Sequence, residues 1–435
     1  MYIKQYGGVL FQFFILATRI KPEVARESSL SMWDTRVMSS RWLLLLGVWL
    51  LYGSFGLVAT SLAPMASLII IDLSMTHAQM GMAMGAWQLV YIFSAVPAGV
   101  LLDRIGPRYA LALGGFLVGC SALARVFADD STSLIAAVML FGLGGPIISA
   151  GAPKVVVSSF EGSSRGLAMG IYMTGPAIGG IVSLTTTHSF LLPWLEQDWR
   201  QVMALWTGVT FVATATWFLI ASLNREAETA GTAAARVSQL RVIRELISKP
   251  TVIIVLLMSI SVFMFNHGLN NWLPELLQSH GLTAVNAGYW AALPTVIGII
   301  GSLVIPRLAT PERRFNILLA LSAAAFLASL LLRFSEPESL VIGLLLQGIA
   351  RSSLMTVLIL TLVELPEIGE RYAGVASGLF FSAAELGGVM GPLTLGLLYT
   401  PGGGFSSGLT LLTMITLTMI LGSLLLRRRA RITST

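Results

Sequence analysis

The sequence predicts an all-α membrane protein whose twelve transmembrane helices form two related six-helix bundles. Three observations predict this class: an apolar composition, a series of apolar runs long enough to cross a bilayer, and a segment that recurs in the second half of the chain. Of the 435 residues, 55% are hydrophobic and 11% are charged, whereas soluble domains carry about 25% charged residues. Since each crossing needs about 20 mostly apolar residues, most of the chain is suited to a bilayer.

Twelve apolar runs predict the helices. They lie at 42–70, 80–102, 108–127, 133–153, 166–190, 201–223, 251–278, 286–306, 315–334, 339–363, 373–398 and 408–426. The longest polar interval, 224–250, separates the first six from the last six. We therefore predict an N-terminal cytoplasmic segment (1–41), a first bundle (42–223), a linker (224–250), a second bundle (251–426) and a basic tail (427–435). The apolar stretch 7–17 is too short to span a membrane, and we assign it no function.

The distribution of basic residues predicts the orientation of the helices. Most of the 27 Lys and Arg residues fall in segments that share one side of the membrane, whereas the loops on the other side hold Arg125, Arg200 and Arg333. The positive-inside rule then predicts a multi-pass inner-membrane protein with both termini in the cytoplasm. The net charge of +6 belongs to the face that meets anionic lipid, so we expect no nucleic-acid partner.

An internal repeat relates the fifth helix of each predicted bundle. Residues 170–180 read GIYMTGPAIGG and residues 378–388 read GLFFSAAELGG, so three glycines match at an offset of 208 residues. Such repeats are typical of secondary transporters, which bind their substrate near the midplane between the halves. The glycines themselves could serve only as a close-packing surface between helices. In either case the repeat predicts two related halves.

The loop after the second predicted helix carries a longer motif. It reads GVLLDRIGPR (99–108) and resembles the loop signature of the major facilitator superfamily, except that Pro107 stands at a basic position. The matching residues are Gly99, Leu101, Asp103, Arg104, Gly106 and Arg108. The resemblance implies the two-bundle fold, membrane transport and a cytoplasmic gate formed by this loop, with Asp103 working near the start of the eleventh helix. The alternative is an ordinary charged turn.

Two shorter stretches resemble subgroups of that family. The repeat segment 170–180 is similar to a motif of its drug–proton antiporters. The stretch FNHGLNNWLPELL (265–277) is similar to the seventh helix of its cyanate and 2-nitroimidazole porters. The second likeness implies a small, compact solute that is polar or anionic.

Two charged residues lie near the middle of predicted helices. Arg351 and Glu385 are centred in 339–363 and 373–398, and a charge inside a bilayer needs a partner. We therefore expect them to form an ion pair. Three roles remain open: the pair joins two helices, Arg351 binds an anionic group of the solute, or Glu385 takes up and releases a proton.

Polar side chains on other helices are candidates for lining the solute site. In the seventh helix, Asn266, His267, Asn270 and Asn271 are related by spacings of four and so predict one polar stripe. Hydrogen bonding between helices is the alternative for any one of them. Further candidates in the first bundle are Tyr52, Thr60, Gln88 and Tyr91.

These patterns favour a secondary active transporter that works by alternating access. The sequence has no phosphate-binding Gly-x-x-x-x-Gly-Lys-Ser/Thr loop and no Gly-x-Ser-x-Gly elbow, and its four histidines are dispersed. We therefore expect no enzyme activity, no cofactor and no metal, and we expect a monomer in a lipid bilayer. A small polar or anionic solute, with transport coupled to protons, is the leading hypothesis; drug–proton antiport is the alternative. A receptor or intramembrane enzyme is disfavoured, because the tails are short and only Arg351 and Glu385 share one depth.

Overall fold

Apolar runs separated by short polar turns give a structure built from helices. The computed structural model describes residues 32–224, 239–365 and 368–433, and the only pairing of extended backbone in these ranges is an isolated bridge between Thr400 and Gly404. The chain divides into two compact units, Met1–Trp42 and Leu43–Thr435. The stretch 7–17 and most of the predicted linker lie outside the described residues.

We number the helices in chain order. They are α1 (Met32–Thr60), α2 (His77–Val126), α3 (Ser131–Ser159), α4 (Gly162–Thr186), α5 (Trp199–Leu223), α6 (Gln239–Ile247), α7 (Pro250–Ser279), α8 (Ala284–Leu308), α9 (Arg314–Leu331), α10 (Pro337–Val363), α11 (Gly369–Leu397) and α12 (Ser406–Thr433). Short helical turns at Ala63–Met65 and Ala66–Asp72 follow α1, and a π-helical turn, Thr187–Leu191, and a turn at Leu192–Trp194 follow α4. Except for α6, which falls in the predicted linker, each long helix coincides with one or two of the predicted spans.

The number of membrane crossings depends on a break inside α2. Eleven helices in the described ranges are long and apolar enough to span a bilayer, and one of them is the 50-residue α2. At 1.5 Å per residue α2 would be about 75 Å long, more than twice the hydrocarbon thickness of about 30 Å. Gly106 interrupts it with φ 76° and ψ 163°, a backbone conformation that favours glycine. The two limbs of α2 give two crossings, so the predicted twelve are confirmed.

The internal repeat reappears as equivalent helix contacts. A Cβ atom on Gly179 of α4 would lie 2.0 Å from the carbonyl oxygen of Gly53 in α1, and one on Gly387 of α11 would lie 2.0 Å from that of Ile260 in α7. Only glycine allows two backbones to come so close. These two glycines therefore pack the fifth and first crossings of each half together, as the close-packing interpretation expects.

Two arginines, Arg125 and Arg333, also occupy positions 208 residues apart, but they bond to different crossings. Arg125 donates to Ser61, to the carbonyl of Val58 and to Ser121. Arg333 donates to Thr410 and Thr413, and Ser329 also donates to Thr413. The expectation that Arg125 lies in an outer loop was wrong: it is in the last turn of α2 and is 1% exposed. Its guanidinium takes the backbone and hydroxyl oxygens of neighbouring crossings as acceptors.

Candidate functional site

The guanidinium of Arg351 lies near the middle of α10 and makes one hydrogen bond. Its Nη1 donates to the hydroxyl of Thr295 in α8 over 2.8 Å, and Asn266 of α7 donates to its backbone oxygen over 3.0 Å. The remaining guanidinium N–H groups have no partner among the described residues. None of their atoms is fully buried. Arg351 therefore has N–H groups left over that could donate to an anion.

Arg351 and Glu385 do not form the expected ion pair. In the described part of the chain, the ion pairs within 4.0 Å do not include either residue. The reason is helix packing: α10 packs chiefly against α8 and α9, whereas α11 packs chiefly against α7 and α2. Consecutive helices in sequence are not the closest neighbours here.

Glu385 is buried beside the first half of the chain. Its side chain is 6% exposed, and its Oε2 atom is buried with no hydrogen-bond partner in the described residues. A Cβ on Gly388 would lie 3.0 Å from this oxygen and 3.0 Å from Cγ of Gln88. The absence of a side chain at Gly388 therefore leaves room for the carboxyl group of α11 and the amide of α2 to come together.

Gln88 connects α2 to α7 across the two halves. Its Nε2 lies 3.0 Å from Nδ1 of His267, and its Oε1 is buried without a partner among the described residues. The imidazole of His267 also contacts the rings of Trp87 and Phe263, with centroids 6.1 and 5.4 Å apart. The structure thus brings Gln88 and His267 together, next to Glu385.

The other polar residues of α7 behave differently from one another. Asn266 bonds to the backbone of Arg351, as above, while Asn271 donates to the carbonyl oxygen of His267 within its own helix. Asn270 is half-buried, and its side chain makes no hydrogen bond in the described part of the chain. Asn266 and His267 join the group around Arg351 and Gln88; no contact places Asn270 or Asn271 there.

The candidates in the first half form an aromatic group. Tyr52 stacks on Tyr172 with centroids 6.0 Å apart, and Tyr91 contacts Trp87 and bonds to Ser149 over 3.1 Å. A Cβ on Gly180 would lie 3.0 Å from the hydroxyl of Thr60. Trp87 is the link between this group and His267. Neither Trp87 nor Thr295 was predicted, because a tryptophan or a single threonine in an apolar run carries no signal.

The loop motif is exposed at the end of the bundle where α2 breaks. Asp103 is paired with Lys154 of α3 at 2.7 Å, and both Asp103 and Arg104 are exposed. Arg108 instead lies over the rings of Tyr109 and Phe218, 4.9 and 5.0 Å from their centroids. Gly106 provides the break in α2, and a Cβ on Gly99 would meet no described atom within 4 Å. The side chains of residues 369–373, at the start of α11, are not among those the structure describes, so the expected contact of Asp103 with this helix stays a prediction.

The two halves seal the opposite end of the bundle, which we call the His77 end. Nε2 of His77 lies 2.8 Å from Oε1 of Glu275, and the ring of His77 stacks on Tyr399 with centroids 3.4 Å apart. Close contacts between the halves continue inward, since a Cβ on Gly81 would lie 2.3 Å from the carbonyl oxygen of Pro392.

At the linker end, where α2 breaks and α7 begins, the described residues pack loosely around the helices that carry the repeat. A Cβ on any of four glycines would meet no described atom within 4 Å: Gly166, Gly170, Gly374 and Gly378. The group around Arg351 therefore lies between a sealed His77 end and a less tightly packed linker end. This is one of the states that alternating access requires.

The chain matches the family described as Major Facilitator Superfamily over residues 48–392. It belongs to this superfamily. The chain is therefore a multi-pass membrane transporter, and the resemblance of its loop motif is confirmed at the level of the superfamily.

Several relatives are similar over most of the chain. The chain is 25% identical to an uncharacterized transporter, YycB, from Bacillus subtilis (78% of this chain, 82% of the relative). It is 24% identical to a D-galactonate transporter from Escherichia coli O6:H1 (82% and 88%) and 24% identical to a quinolone resistance transporter from Acinetobacter baumannii (80% and 84%).

Solved structures are similar in fold. A bacterial homolog of the human lysosomal transporter Spinster, in an inward-facing and unoccupied conformation, superposes with a TM-score of 0.67 at 17% identity, covering 90% of this chain and 97% of that one. At this identity the likeness concerns the fold alone, and it confirms the superfamily architecture.

Proposed function

We propose that this member of the Major Facilitator Superfamily is a secondary active transporter of a small hydroxylated anion, which binds at Arg351, and that Glu385 couples its movement to protons. The observation that carries the proposal is the guanidinium of Arg351, which has no carboxylate within 4.0 Å in the described part of the chain and bonds to one neutral hydroxyl. A guanidinium suits planar oxygen-bearing anions such as carboxylates.

The neighbours of Arg351 favour a solute that also carries hydroxyl groups. The side-chain donors and acceptors of Asn266 and His267 lie on the neighbouring helix α7, so a polar body attached to the carboxylate has partners. A sugar acid has both features, and one relative is a D-galactonate transporter. The likeness of 265–277 to cyanate porters has no support from the relatives whose substrates are named, so we do not extend it to cyanate.

Orientation and coupling belong to the same proposal. We place the linker end in the cytoplasm on the distribution of basic residues, so that the state described here faces inward. The predicted division into bundles at 42–223 and 251–426 supplies the two bodies that rock. We choose Glu385 as the coupling residue because its carboxyl group is buried, its Oε2 has no hydrogen-bond partner among the described residues, and it lies close to the surface where the halves meet.

The test is ligand-induced thermal stabilisation of the purified protein, because a ligand that binds the folded state raises its apparent stability. We expect D-galactonate to stabilise the wild type and not Arg351→Gln. Arg333→Gln is the matched control, since Arg333 also bonds to hydroxyl groups but lies far from the site, and it should respond as the wild type does. Equal stabilisation of Arg351→Gln would contradict the proposal.

A second candidate function, efflux of aromatic drugs, is favoured by the line of rings that runs from Tyr172 through Tyr52 to Phe55 and on to Trp87. A quinolone resistance transporter is among the relatives. A fluoroquinolone in the same stabilisation panel decides between the two. Stabilisation by the fluoroquinolone, and by no sugar acid, would favour efflux.

A further inference from the structure

Two buried side-chain oxygen atoms near His267 have no hydrogen-bond donor in the described part of the chain: Oε2 of Glu385 and Oε1 of Gln88. With the Gln88 amide oriented as in the structure, its Nε2 donates to Nδ1 of His267, and its Oε1 faces no donor. Oε2 of Glu385 also has no partner among the described residues. Both oxygens are acceptors unless the carboxyl group is protonated, and burying them unpaired costs free energy.

One proton on Glu385 resolves this arrangement. The position of a Cβ on Gly388 is 3.0 Å from both Oε2 of Glu385 and Cγ of Gln88, so the two side chains face the same space. A protonated Oε2 that turns toward Oε1 of Gln88 there would donate to it. Gln88 then donates to Nδ1 of His267, whose own proton is held on Nε2. His267 Nε2 has no partner in the described part of the chain, and it is not a fully buried atom, so it offers an N–H donor.

Glu385, Gln88 and His267 thus form a row of three hydrogen-bonding side chains. Loss of the proton from Glu385 reverses every donor and acceptor in this row. An ionised Glu385 accepts hydrogen bonds only, so the Gln88 amide turns by half a rotation and donates its N–H to the carboxylate. Its Oε1 now faces His267 and accepts a proton held on Nδ1. The imidazole then presents Nε2 as an acceptor instead of a donor, which disfavours an anion.

We infer that Gln88 transmits the protonation state of Glu385 to His267 and thereby makes anion binding at the Arg351 site depend on a bound proton. Gln88 is a positioning residue, because it acts through His267 and does not itself carry the charge. The inference rests on the proposed function, in which Glu385 titrates and Arg351 binds the solute. It adds the route between them, which crosses from α11 through α2 to α7.

Other charged or titratable groups lie near Glu385, Gln88 and His267 or on the same helices. Glu385 acts electrostatically on Tyr91 of α2, and Arg351 of α10 acts in the same way on His267. His77 on α2 and Glu275 on α7 are paired with each other at the His77 end. None of these groups bonds to the Gln88 amide in the described part of the chain, so Gln88 is the link to test.

The experiment measures the affinity of purified protein for D-galactonate as a function of pH. For one linked proton, affinity can rise at most about tenfold per unit fall in pH. We expect this dependence in the wild type. In Glu385→Gln the new amide donates to Gln88 permanently, so binding stays tight and independent of pH. In Gln88→Met, binding through Arg351 persists but changes less than about twofold over the same range.

The outcomes separate the inference from the proposed function. If Gln88→Met keeps the full pH dependence of the wild type, the inference is wrong and the proposed function stands. If the wild type shows no pH dependence, or Glu385→Gln keeps it, proton coupling at Glu385 fails and the inference fails with it. If D-galactonate does not bind the wild type at any pH, the proposed substrate class fails, and the inference, which rests on it, fails as well.

A second variant tests the inference if the Gln88→Met protein does not fold. Gly388→Ala places a methyl group 3.0 Å from both Gln88 and Glu385, whereas Gly180→Ala, at the equivalent repeat position, meets Thr60 at the same distance. We expect Gly388→Ala alone to lose the pH dependence. Nitrogen-15 NMR of the four histidines gives a direct measurement: the His267 tautomer should change with pH in the wild type and not in Gly388→Ala.

Discussion

His77 and Glu275 join the two halves of the transporter through a contact of 2.8 Å between Nε2 and Oε1. Their helices, α2 and α7, belong to different halves, and the ring of His77 is also covered by Tyr399 and Trp272. Burial, followed by the charge of Glu275, raises the pKa of Tyr399, so its hydroxyl stays neutral. These residues close the His77 end in the state described here.

Removing this contact should shift the population toward a state open at the His77 end. His77→Ala deletes the contact with Glu275 and the ring stacking. Both act only in the closed arrangement, so their loss raises the population of the opposite state. A cysteine placed at Gly374 in a Cys120→Ala background reports the shift, because Gly374 is exposed at the linker end. Alkylation of that cysteine should slow in His77→Ala. His280→Ala is the control, and equal rates in all three proteins would contradict the role of His77.

The two equivalent arginines should differ in their contribution to stability. Arg125→Leu removes the buried hydrogen bonds that the guanidinium donates to Val58, Ser61 and Ser121, and losing bonds from a charged donor of this kind costs about 1–3 kcal/mol. Arg333 is only half-buried and bonds to hydroxyl groups that can turn to other partners, so Arg333→Leu should cost less. Thermal unfolding of the purified variants compares them. A larger loss in Arg333→Leu would mean that the buried arginine is not the stronger of the two contacts.

The helices could be predicted from the sequence because each crossing needs its own apolar run, and the bilayer fixes its length. The repeat could be predicted because glycine is required at Gly179 and Gly387, where the backbones of two neighbouring helices come close together. The break within α2 could be predicted too, because the spans 80–102 and 108–127 leave a loop between them, but the positive φ of Gly106 leaves no mark on hydropathy. Arg125 was misplaced because its bonds to backbone and hydroxyl oxygens come from tertiary packing.

The site could be predicted only in part. The sequence indicated Arg351 and Glu385 because charges in apolar runs are costly. Their pairing was wrong, because sequence order does not state which helices pack together. Gln88 and His267 were each named as candidates, but their contact of 3.0 Å joins residues from different halves, and a single sequence contains no signal for such a contact.

Asp130 should make the stability of α3 depend on pH. It caps the helix by accepting from the backbone N–H and the hydroxyl of Ser133, and these bonds hold the pKa of its carboxyl group below the ordinary value. A depressed pKa contributes stability that is present above the unfolded pKa of about 3.9 and is lost as pH falls through the lower folded value.

The variant that tests the cap is Asp130→Asn, which keeps a capping oxygen but cannot titrate. Its deficit in thermal stability relative to the wild type should be largest at neutral pH and should shrink in acid. The control is Asp129→Asn, because the side chain of Asp129 makes no hydrogen bond in the described part of the chain. A deficit that stays constant with pH would show that the charge of Asp130 does not contribute.

The glycines of the repeat should divide into two classes that differ in stability and transport. Gly179→Ala and Gly387→Ala force a methyl group to within 2.0 Å of a backbone oxygen, and overpacking of this kind costs about 1–3 kcal/mol or more. Both should lower the thermal stability of the purified protein sharply. Gly170→Ala and Gly378→Ala, one turn or more from the same contacts, meet no described atom within 4 Å and should unfold like the wild type.

Transport adds a second measurement to this comparison. The linker end must close for the solute to reach the other side, and α4 and α11 carry Gly170 and Gly378 at that end. Gly170→Ala and Gly378→Ala should therefore slow uptake of the solute into proteoliposomes while leaving its binding affinity unchanged, because binding uses the state already described. If both variants transport at the wild-type rate, these glycines do not meet another helix in the second state, and the closure at the linker end must use other residues.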